Sequence, residues 1–246
     1  MNTTIQQVAI VTGASRGIGA AIAERLAADG MTVIVNYSGN QALAEQLVRK
    51  IEQNGGRALS AKADVSDATA VAKMFDHAEQ AFGGVDILVN NAGVIALAPV
   101  AEMSDADADR LIDINLKGTF NTLREAAKRL RDNGRIINFS SSVVGLLQPS
   151  YGMYAASKAA VEALTSVLAK ELRGRNITVN AIAPGPTATG LFLDGKTPEL
   201  IERLAKMAPL ERLGQPQDIA AAVSFLAGAD GAWINGQTLR ANGGII

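Results

Sequence analysis

The stretch VAIVTGASRGIGAAIAERLAADG, residues 8–30, decides the fold because its apolar period changes halfway along. Residues 8–13 begin with a continuous apolar run, which is typical of a strand buried on both faces. The apolar side chains that follow are spaced as on one face of a helix, and this helix ends at Gly30. A buried strand joined by a glycine-rich turn to an amphipathic helix predicts the start of a β-α-β unit.

The same alternation of apolar runs and helical segments continues along the chain, without a repeat or a linker. It predicts six further strands, at residues 32–36, 57–62, 85–90, 135–140, 177–183 and 237–241. We therefore expect an α/β fold over residues 1–246: a single Rossmann-type doubly wound domain of about seven parallel strands with helices on both faces. Residues 184–215 carry most of the prolines and leave this rhythm. They form either a substrate loop or a tolerated surface insertion.

Composition excludes several classes of function. The 246 residues carry a formal net charge of −1, which gives no electrostatic reason to expect nucleic acid or a membrane surface as a partner. The chain has no cysteine and a single histidine, His77, so thiolate chemistry and a Ser-His-Asp triad are excluded and no metal site is predicted. We expect a cytoplasmic protein because the sequence shows neither a signal-like segment nor an apolar run of ~20 residues.

The turn in the opening stretch has the chemistry of a phosphate-binding loop. Its three glycines allow close approach of a ligand to the backbone, and the helix that follows offers free N–H groups to a phosphate. The second strand ends in NYS at 36–38, without the carboxylate that binds the ribose 2′-hydroxyl of NAD. Arg16 is suited to a 2′-phosphate instead. These residues favour NADP(H) over NAD(H).

The stretch YGMYAASKAA, residues 151–160, places Tyr154 and Lys158 four positions apart. On a helix, both side chains then share one face. A free phenol has a pKa of about 10, and a neighbouring ammonium favours its ionised form. Negative charge that develops on a carbonyl oxygen during reduction needs such a proton donor. The pair is therefore a candidate acid for carbonyl chemistry.

Seven short motifs follow one another in a fixed order along nearly the whole chain. They are TGASRGIG, DV at 64–65, NNAG at 90–93, the Asn of DINLKG, SSS at 140–142, YAASK and APGP. With this order and spacing the sequence resembles the short-chain dehydrogenase/reductase family. Within the family it resembles the branch of 3-oxoacyl carrier-protein reductases and polyhydroxynaphthalene-type carbonyl reductases.

The resemblance implies hydride transfer between a nicotinamide and a carbonyl or alcohol carbon. The catalytic residues that it implies are Asn115, Ser142, Tyr154 and Lys158. Tyr154 would donate the proton and Lys158 would bond the nicotinamide ribose, while Ser142 would bond the substrate oxygen and Asn115 would complete a proton relay through water. Ser142 is preferred among three serines because it directly precedes VVG, but its short separation from Tyr154 leaves Ser141 open.

The remaining site residues come from the glycine loop, the strand ends and the resemblance. The expected cofactor-binding residues are Gly13, Ser15, Arg16, Gly17, Ile18, Gly19, Asn36, Tyr37, Ser38, Asp64, Val65, Asn91, Ala92, Gly93, Tyr154, Lys158, Pro184, Gly185, Thr187 and Thr189. The expected substrate-binding residues are Val94, Ser142, Val144, Gln148, Tyr151, Tyr154, Gly185 and Leu191.

Three hypotheses of function follow. The first is an NADPH-dependent carbonyl reductase that interconverts a neutral or partly apolar ketone and its secondary alcohol. The second is a 3-oxoacyl-[acyl-carrier-protein] reductase, whose protein partner would require basic residues on the surface such as Arg124, Lys128 and Arg173. The third is a non-catalytic NADP(H) redox sensor. The resemblance also implies a homo-oligomer, specifically a tetramer.

Overall fold

A sheet of seven parallel strands forms the centre of the computed structural model, which describes residues 6–246. Residues 1–5 of the predicted domain lie outside this range. The strands are β1 (Val8–Val11), β2 (Thr32–Tyr37), β3 (Arg57–Lys62), β4 (Val85–Asn90), β5 (Leu130–Phe139), β6 (Thr178–Pro184) and β7 (Thr238–Ala241). The predicted fold class is confirmed, and β5 differs most from its predicted bounds because it begins at Leu130 rather than at residue 135.

The strand order is β3-β2-β1-β4-β5-β6-β7, and every neighbouring pair is parallel. β2 and β3 therefore lie in turn on one side of β1, and β4 to β7 lie in turn on its other side. The point where the direction reverses lies between β1 and β4. In open parallel sheets, ligands bind beyond the carboxyl ends of the strands at this switch point.

Helices connect the strands on both faces of the sheet. In residues 6–246 they are α1 (Gly17–Ala28), α2 (Gln41–Gln53), α3 (Ala68–Phe82), α4 (Asp105–Leu111), α5 (Thr119–Arg129), α6 (Val143–Leu146), α7 (Gly152–Glu171), α8 (Gly190–Leu193), α9 (Pro198–Ala205) and α10 (Pro216–Ala227). A π-helical segment, Ile112–Gly118, joins α4 to α5. No helix of this part of the chain is long and apolar enough to cross a membrane.

Alternate residues of β1 belong to two separate apolar layers, which explains the continuous apolar run in its sequence. Ala9 and Val11 pack in a layer that includes residues of α1, α2 and α10. Val8 and Ile10 pack in a second layer, with residues of α3, α5 and α7. Both faces of the sheet are therefore buried, and its strand ends are left for the site.

The segment at 184–215 follows β6, carries α8 and α9, and ends close to where it began. We call this segment the arm. Thr187 and Gly214 form an isolated parallel bridge at its base. The Gly214 N–H donates to the Pro186 carbonyl at 2.9 Å, and the Ala188 N–H donates to the Gly214 carbonyl at 2.8 Å. The arm is thus tied at its base, next to the end of β6.

Candidate active site

The glycine turn after β1 requires glycine for reasons of space and conformation. Gly13 has a φ of +61°, and a Cβ at this position would lie 2.9 Å from the Cα of Ala92. A Cβ on Gly19 would lie 2.5 Å from Nδ2 of Asn91. Asn91 Nδ2 donates to the carbonyls of Thr12 and Gly13, at 2.9 and 3.1 Å. The turn that follows β4 therefore supports the glycine turn through the Asn91 side chain.

Asn36, which was predicted to bind the cofactor, also supports the glycine turn. Its side chain is buried, with Oδ1 accepting from the Gly13 N–H at 3.1 Å. Its Nδ2 donates to the carbonyls of Ala61 and Ala63, at 3.2 and 3.0 Å. A carboxylate could accept from Gly13 but could not donate to the two carbonyls. A carboxylate at position 36 would lose the two bonds to Ala61 and Ala63. Its absence therefore has a structural reason as well as a consequence for the choice between NADP(H) and NAD(H).

A cavity of about 760 Å³ runs past the carboxyl ends of β1 to β4. Most of the predicted cofactor residues lie along its walls: Gly13, Ser15, Arg16, Gly17, Ile18, Gly19, Asn36, Tyr37, Ser38, Asp64, Val65, Asn91, Ala92, Gly93 and Thr189. A long groove with a helix N-terminus and an exposed arginine in its wall fits a dinucleotide phosphate. Arg110 and Ile114 also line the groove. Ile114 lies inside the DINLKG motif, from which only Asn115 was predicted, and Arg110 precedes that motif with no signal of its own.

The candidate acid lies where the first turns of α7 meet the end of β5. Lys158 is 5% exposed, and its Nζ donates to the carbonyl of Phe139 at 2.8 Å. Burial lowers the pKa of Lys158 from 10.5 to about 8. Burial raises the pKa of Tyr154, while a hydrogen bond with the Ser141 side chain opposes that rise. Tyr154 and Lys158 thus share one face of α7 as expected. The expected lowering of the phenol pKa by the ammonium is not found, because burial is the largest effect on Tyr154 and raises its pKa.

The structure gives Ser141 and Ser142 different surroundings. The Ser142 side chain is buried, and its Oγ donates to the carbonyl of Ala183 at 3.2 Å and accepts from Asn242 Nδ2 at 3.0 Å. Both contacts belong to the packing of β5 against β6 and the segment after β7. Ser141 is the serine whose side-chain hydrogen bond opposes the rise in the pKa of Tyr154. These contacts favour Ser141, the alternative that the sequence left open, and the serine that meets the substrate stays a prediction.

Asn115 lies in the π-helical segment and is completely buried. Its Oδ1 accepts from the Val94 N–H at 2.8 Å, and its Nδ2 donates to the Val94 carbonyl at 2.9 Å. The same Nδ2 lies 3.3 Å from Ser157 Oγ, whose hydroxyl donates to the Tyr154 carbonyl. Asn115 thus holds the chain after β4 beside the first turn of α7. The proton-relay role implied by the resemblance stays a prediction.

A second cavity, of about 360 Å³, adjoins the groove and contains the candidate acid. The predicted residues in its walls are Val94, Ser142, Gln148, Tyr151, Tyr154, Lys158, Pro184, Gly185, Thr187, Thr189 and Leu191. Ile18, Asn91, Gly93, Val94, Thr189 and Leu191 line both spaces. The two spaces therefore adjoin along these residues.

Val144 was predicted to line this second cavity, but it does not, and its neighbour Val143 does. Val144 was chosen because it follows the end of β5, but the short helix α6 already begins at Val143. Phe192, which belongs to the candidate substrate loop at 184–215, lines the cavity as well. Leu97 and Ile245 are further lining residues from two distant parts of the chain, and nothing in their local sequence marks them.

The groove and the adjoining cavity define a class of protein: a dinucleotide-binding oxidoreductase with a tyrosine acid. A family model described as enoyl-(acyl carrier protein) reductase matches residues 13–246. A short-chain type dehydrogenase/reductase of Picea abies is 49% identical over 250 residues, which cover 98% of this chain and 92% of the relative. An NADPH-dependent aldehyde reductase-like protein of Arabidopsis thaliana, described as chloroplastic, is 46% identical over 98% of this chain and 94% of its own length.

The solved structures agree with these relatives. A short-chain dehydrogenase of Burkholderia cenocepacia, solved in complex with NADP, superposes with a TM-score of 0.92 at 38% identity and covers 98% of each chain. The chain belongs to the short-chain dehydrogenase/reductase family.

The buried Lys158 ammonium predicts how the stability of the cofactor-free protein depends on pH. Its pKa is lower in the folded chain than in the unfolded chain, so the unfolded chain binds more protons between about 8 and 10.5. The free energy of unfolding should therefore rise with pH across this window, by roughly 3 kcal/mol from this group alone. The Lys158→Met variant should lose this rise, as measured by urea unfolding at a series of pH values.

Lys170→Met is the matched control, because Lys170 is exposed on the same helix. Its unfolding free energy should follow that of the wild type at every pH. If Lys158→Met and the wild type showed the same pH dependence, the ammonium would not be desolvated as the structure indicates.

Proposed function

We propose that the protein catalyses the NADPH-dependent reduction of a ketone or aldehyde to an alcohol. The observation that carries this proposal is that the side chains of Tyr154, Ser141 and Lys158 line one cavity that adjoins the dinucleotide groove. Two donors converge there beside the place where a nicotinamide would end. The donor set is of the kind that stabilises negative charge on a carbonyl oxygen.

Each residue around the reacting carbonyl has a separate role. Bound NADPH would supply the hydride. Tyr154 donates its proton to the carbonyl oxygen as negative charge develops, and Ser141 donates a second hydrogen bond to the same oxygen. Lys158 places a cation within one helical turn of the phenol, which favours the phenolate that remains. The buried surroundings strengthen each of these interactions relative to water.

Arg16 supports the choice of NADPH over NADH. Its side chain is exposed in the wall of the groove beside Ser38, and it makes no salt bridge within residues 6–246. A guanidinium in this position can form two hydrogen bonds with a phosphate on the adenosine ribose. The names of the Arabidopsis relative and the Burkholderia structure, which specify NADPH and NADP, agree with this reading.

The walls of the second cavity support a substrate with an apolar body. Val94, Leu97, Leu146 and Ile245 are among its lining residues, and the charged side chains in its wall other than Lys158, which are Asp194 and Lys196, come from the segment at 184–215. Such a surface favours a carbonyl group attached to a ring or a branched chain over a small charged compound.

Reduction of a 3-oxoacyl thioester is the second candidate, because the description of the matching family model refers to acyl carrier protein. A carrier protein is recognised by a basic surface, and the basic residues near the site are largely engaged. Arg129 contacts Asp76, Glu79 and Glu125. Arg175 pairs with Asp132 at 2.9 Å. Because these cations are paired with carboxylates, the positive potential that would attract an acidic carrier protein is reduced. The free carbonyl compound is therefore the better substrate.

The redox-sensor hypothesis is the least supported of the three. A sensor needs the groove but has no use for a proton donor. Tyr154, Ser141 and Lys158 are nevertheless brought together in a second cavity.

Association of identical chains and a cytoplasmic location complete the proposal. Trp233 is 98% exposed, and Phe225 and Leu239 are also exposed near the free edge of the sheet at β7. Exposed large apolar side chains of this kind support burial against another copy. The family resemblance supports a tetramer. The absence of cysteine supports a reducing compartment such as the cytoplasm, although the Arabidopsis relative is described as chloroplastic.

The first test follows NADPH oxidation with a panel of cyclic ketones, aldehydes and one 3-oxoacyl thioester. We expect turnover of the free carbonyl compounds, and we expect Tyr154→Phe to lower kcat by about a thousandfold because the proton donor is lost. NADPH affinity of the variant, measured by fluorescence titration, should remain near that of the wild type. Turnover of the thioester alone would establish the second candidate, and tight NADPH binding without any turnover would support the sensor.

The two serines should respond differently to truncation. Ser141→Ala removes a hydrogen bond to the substrate oxygen and should lower kcat by about a hundredfold with unchanged stability. Ser142→Ala leaves Asn242 and the Ala183 carbonyl without their partner and should lower the free energy of unfolding by about 1 kcal/mol, with a much smaller loss of kcat. Steady-state kinetics and urea unfolding of both variants check this. The reverse pattern would restore Ser142 as the residue that contacts the substrate.

Arg16→Ala should distinguish the two cofactors. Loss of the phosphate contact should weaken NADPH binding by about tenfold or more, while NADH binding changes by less than about twofold. Fluorescence titration with each cofactor measures the two dissociation constants. Arg49→Ala is a suitable control, since Arg49 is exposed on α2 outside the groove. An equal loss for both cofactors would show that Arg16 does not bind the 2′-phosphate.

A further inference from the structure

Three side chains of α7, each four residues from the next, contact three consecutive residues at the end of β5. Tyr154 contacts Ser141, and Lys158 Nζ bonds the carbonyl of Phe139 at 2.8 Å. The third is Glu162, whose Oε1 accepts a hydrogen bond from Ser140 Oγ at 2.5 Å. The proposed function uses the first two contacts and leaves the third without a role.

We propose that Glu162 is a positioning residue that acts through Ser140 to hold the Ser141 hydroxyl against Tyr154. The inference deepens the proposed function and rests on it, because it concerns the geometry of the two donors that would meet the substrate oxygen. Glu162 itself does not contact the substrate cavity.

Ser140 and Ser142 are both held by hydrogen bonds to other parts of the fold. Ser141, which lies between them, is the serine left to interact with the Tyr154 phenol. Ser140 is 3% exposed, and its N–H continues the ladder to the Ile182 carbonyl at 2.8 Å. Ser142 is held in turn by Ala183 and Asn242 through its hydroxyl. The Ser141 backbone is therefore fixed at both neighbours, and its Oγ accepts a long hydrogen bond from the Val143 N–H at 3.4 Å. A small rotation of the chain at Ser140 would carry the Ser141 hydroxyl away from Tyr154.

The bond between Ser140 and Glu162 has the length of a charge-assisted hydrogen bond. Glu162 is half-buried and forms no salt bridge with any Lys or Arg in the described chain. Glu125 on α5, by contrast, is paired with Lys128 and Arg129. The carboxylate of Glu162 is thus directed at the serine loop rather than at a neighbouring cation.

The Glu162–Ser140 hydrogen bond can either position Ser141 or only hold α7 against β5, and these two roles predict different results. If the contact only joins α7 to β5, its loss should lower stability and weaken cofactor binding along with turnover. If it positions Ser141, kcat should fall while the dissociation constant of NADPH stays the same. Gln at position 162 keeps an acceptor oxygen for Ser140, so it should recover most of kcat.

The experiment compares Glu162→Ala, Glu162→Gln, Ser140→Ala and the double variant Glu162→Ala/Ser140→Ala with the wild type. We expect Glu162→Ala and Ser140→Ala each to lower kcat by about tenfold, and the double variant to lose no more than either single one. Glu162→Gln should stay within about threefold of the wild type. Glu171→Ala, which removes an exposed carboxylate from the same helix, should behave as the wild type does.

Titration of Tyr154 gives a second readout that does not depend on turnover. Near-ultraviolet difference spectra of the NADP⁺ complex, with Tyr154→Phe as reference, isolate its ionisation from that of Tyr37 and Tyr151. Because the hydrogen bond with Ser141 lowers the pKa of Tyr154, its loss in Glu162→Ala should raise that pKa, and Gln should restore it.

The outcomes separate the inference from the function on which it rests. A raised Tyr154 pKa with lowered kcat and unchanged NADPH affinity supports the inference. An unchanged Tyr154 pKa, or losses of kcat, NADPH affinity and stability that run in parallel, overturns it. If the wild type reduces none of the carbonyl compounds, the proposed function fails, and the titration alone still decides whether Glu162 places Ser141 against the phenol.

Discussion

The hydrogen bond from the buried Lys158 ammonium to the Phe139 carbonyl is the contact on which the site depends. It joins the second turn of α7 to the last residue of β5. Because burial of a cation is unfavourable, the surroundings have to supply this acceptor and keep the helix close to the strand. Once the helix is held there, the residue four positions earlier, Tyr154, meets Ser141, and the residue four positions later, Glu162, meets Ser140. One buried charge therefore sets the position of a whole helical face.

Asparagine amides hold the loops that surround this contact. Asn36, Asn91 and Asn115 each bond backbone groups at a strand end, and Asn36 and Asn115 use both the carbonyl and the amino end of the side chain to do so. A carboxylate offers only acceptors, and a hydroxyl reaches fewer partners. The amides therefore supply paired backbone contacts without adding charge near the phosphate or the phenol.

A buried polar chain lies behind the site and connects it to the rest of the sheet. Asn90 Nδ2 donates to Asn138 Oδ1 at 2.9 Å, Asn138 Nδ2 donates to Thr165 Oγ1 at 2.9 Å, and Thr122 Oγ1 donates to Asn90 Oδ1 at 2.6 Å. These four residues belong to β4, β5, α7 and α5. Buried polar groups that satisfy one another in this way fix the relative positions of their elements more tightly than apolar contacts do. The network thus keeps α7 in the orientation that the catalytic contacts need.

Local sequence by itself determined the strand–turn–helix alternation, the fold class, the glycine turn and the placement of Tyr154 and Lys158 on one helical face. These depend on continuous apolar runs, on helical spacing and on glycine, which act within a single element. Only the tertiary structure decided that the Ser142 hydroxyl is held by Ala183 and Asn242, and that Ile245 lines the cavity that contains Tyr154. The groups that hold the Ser142 hydroxyl, Ala183 and Asn242, lie 41 and 100 residues further along the chain. The choice between adjacent serines is made by hydrogen-bond partners that come near only when β5, β6 and the segment after β7 pack together, so no local pattern can encode it.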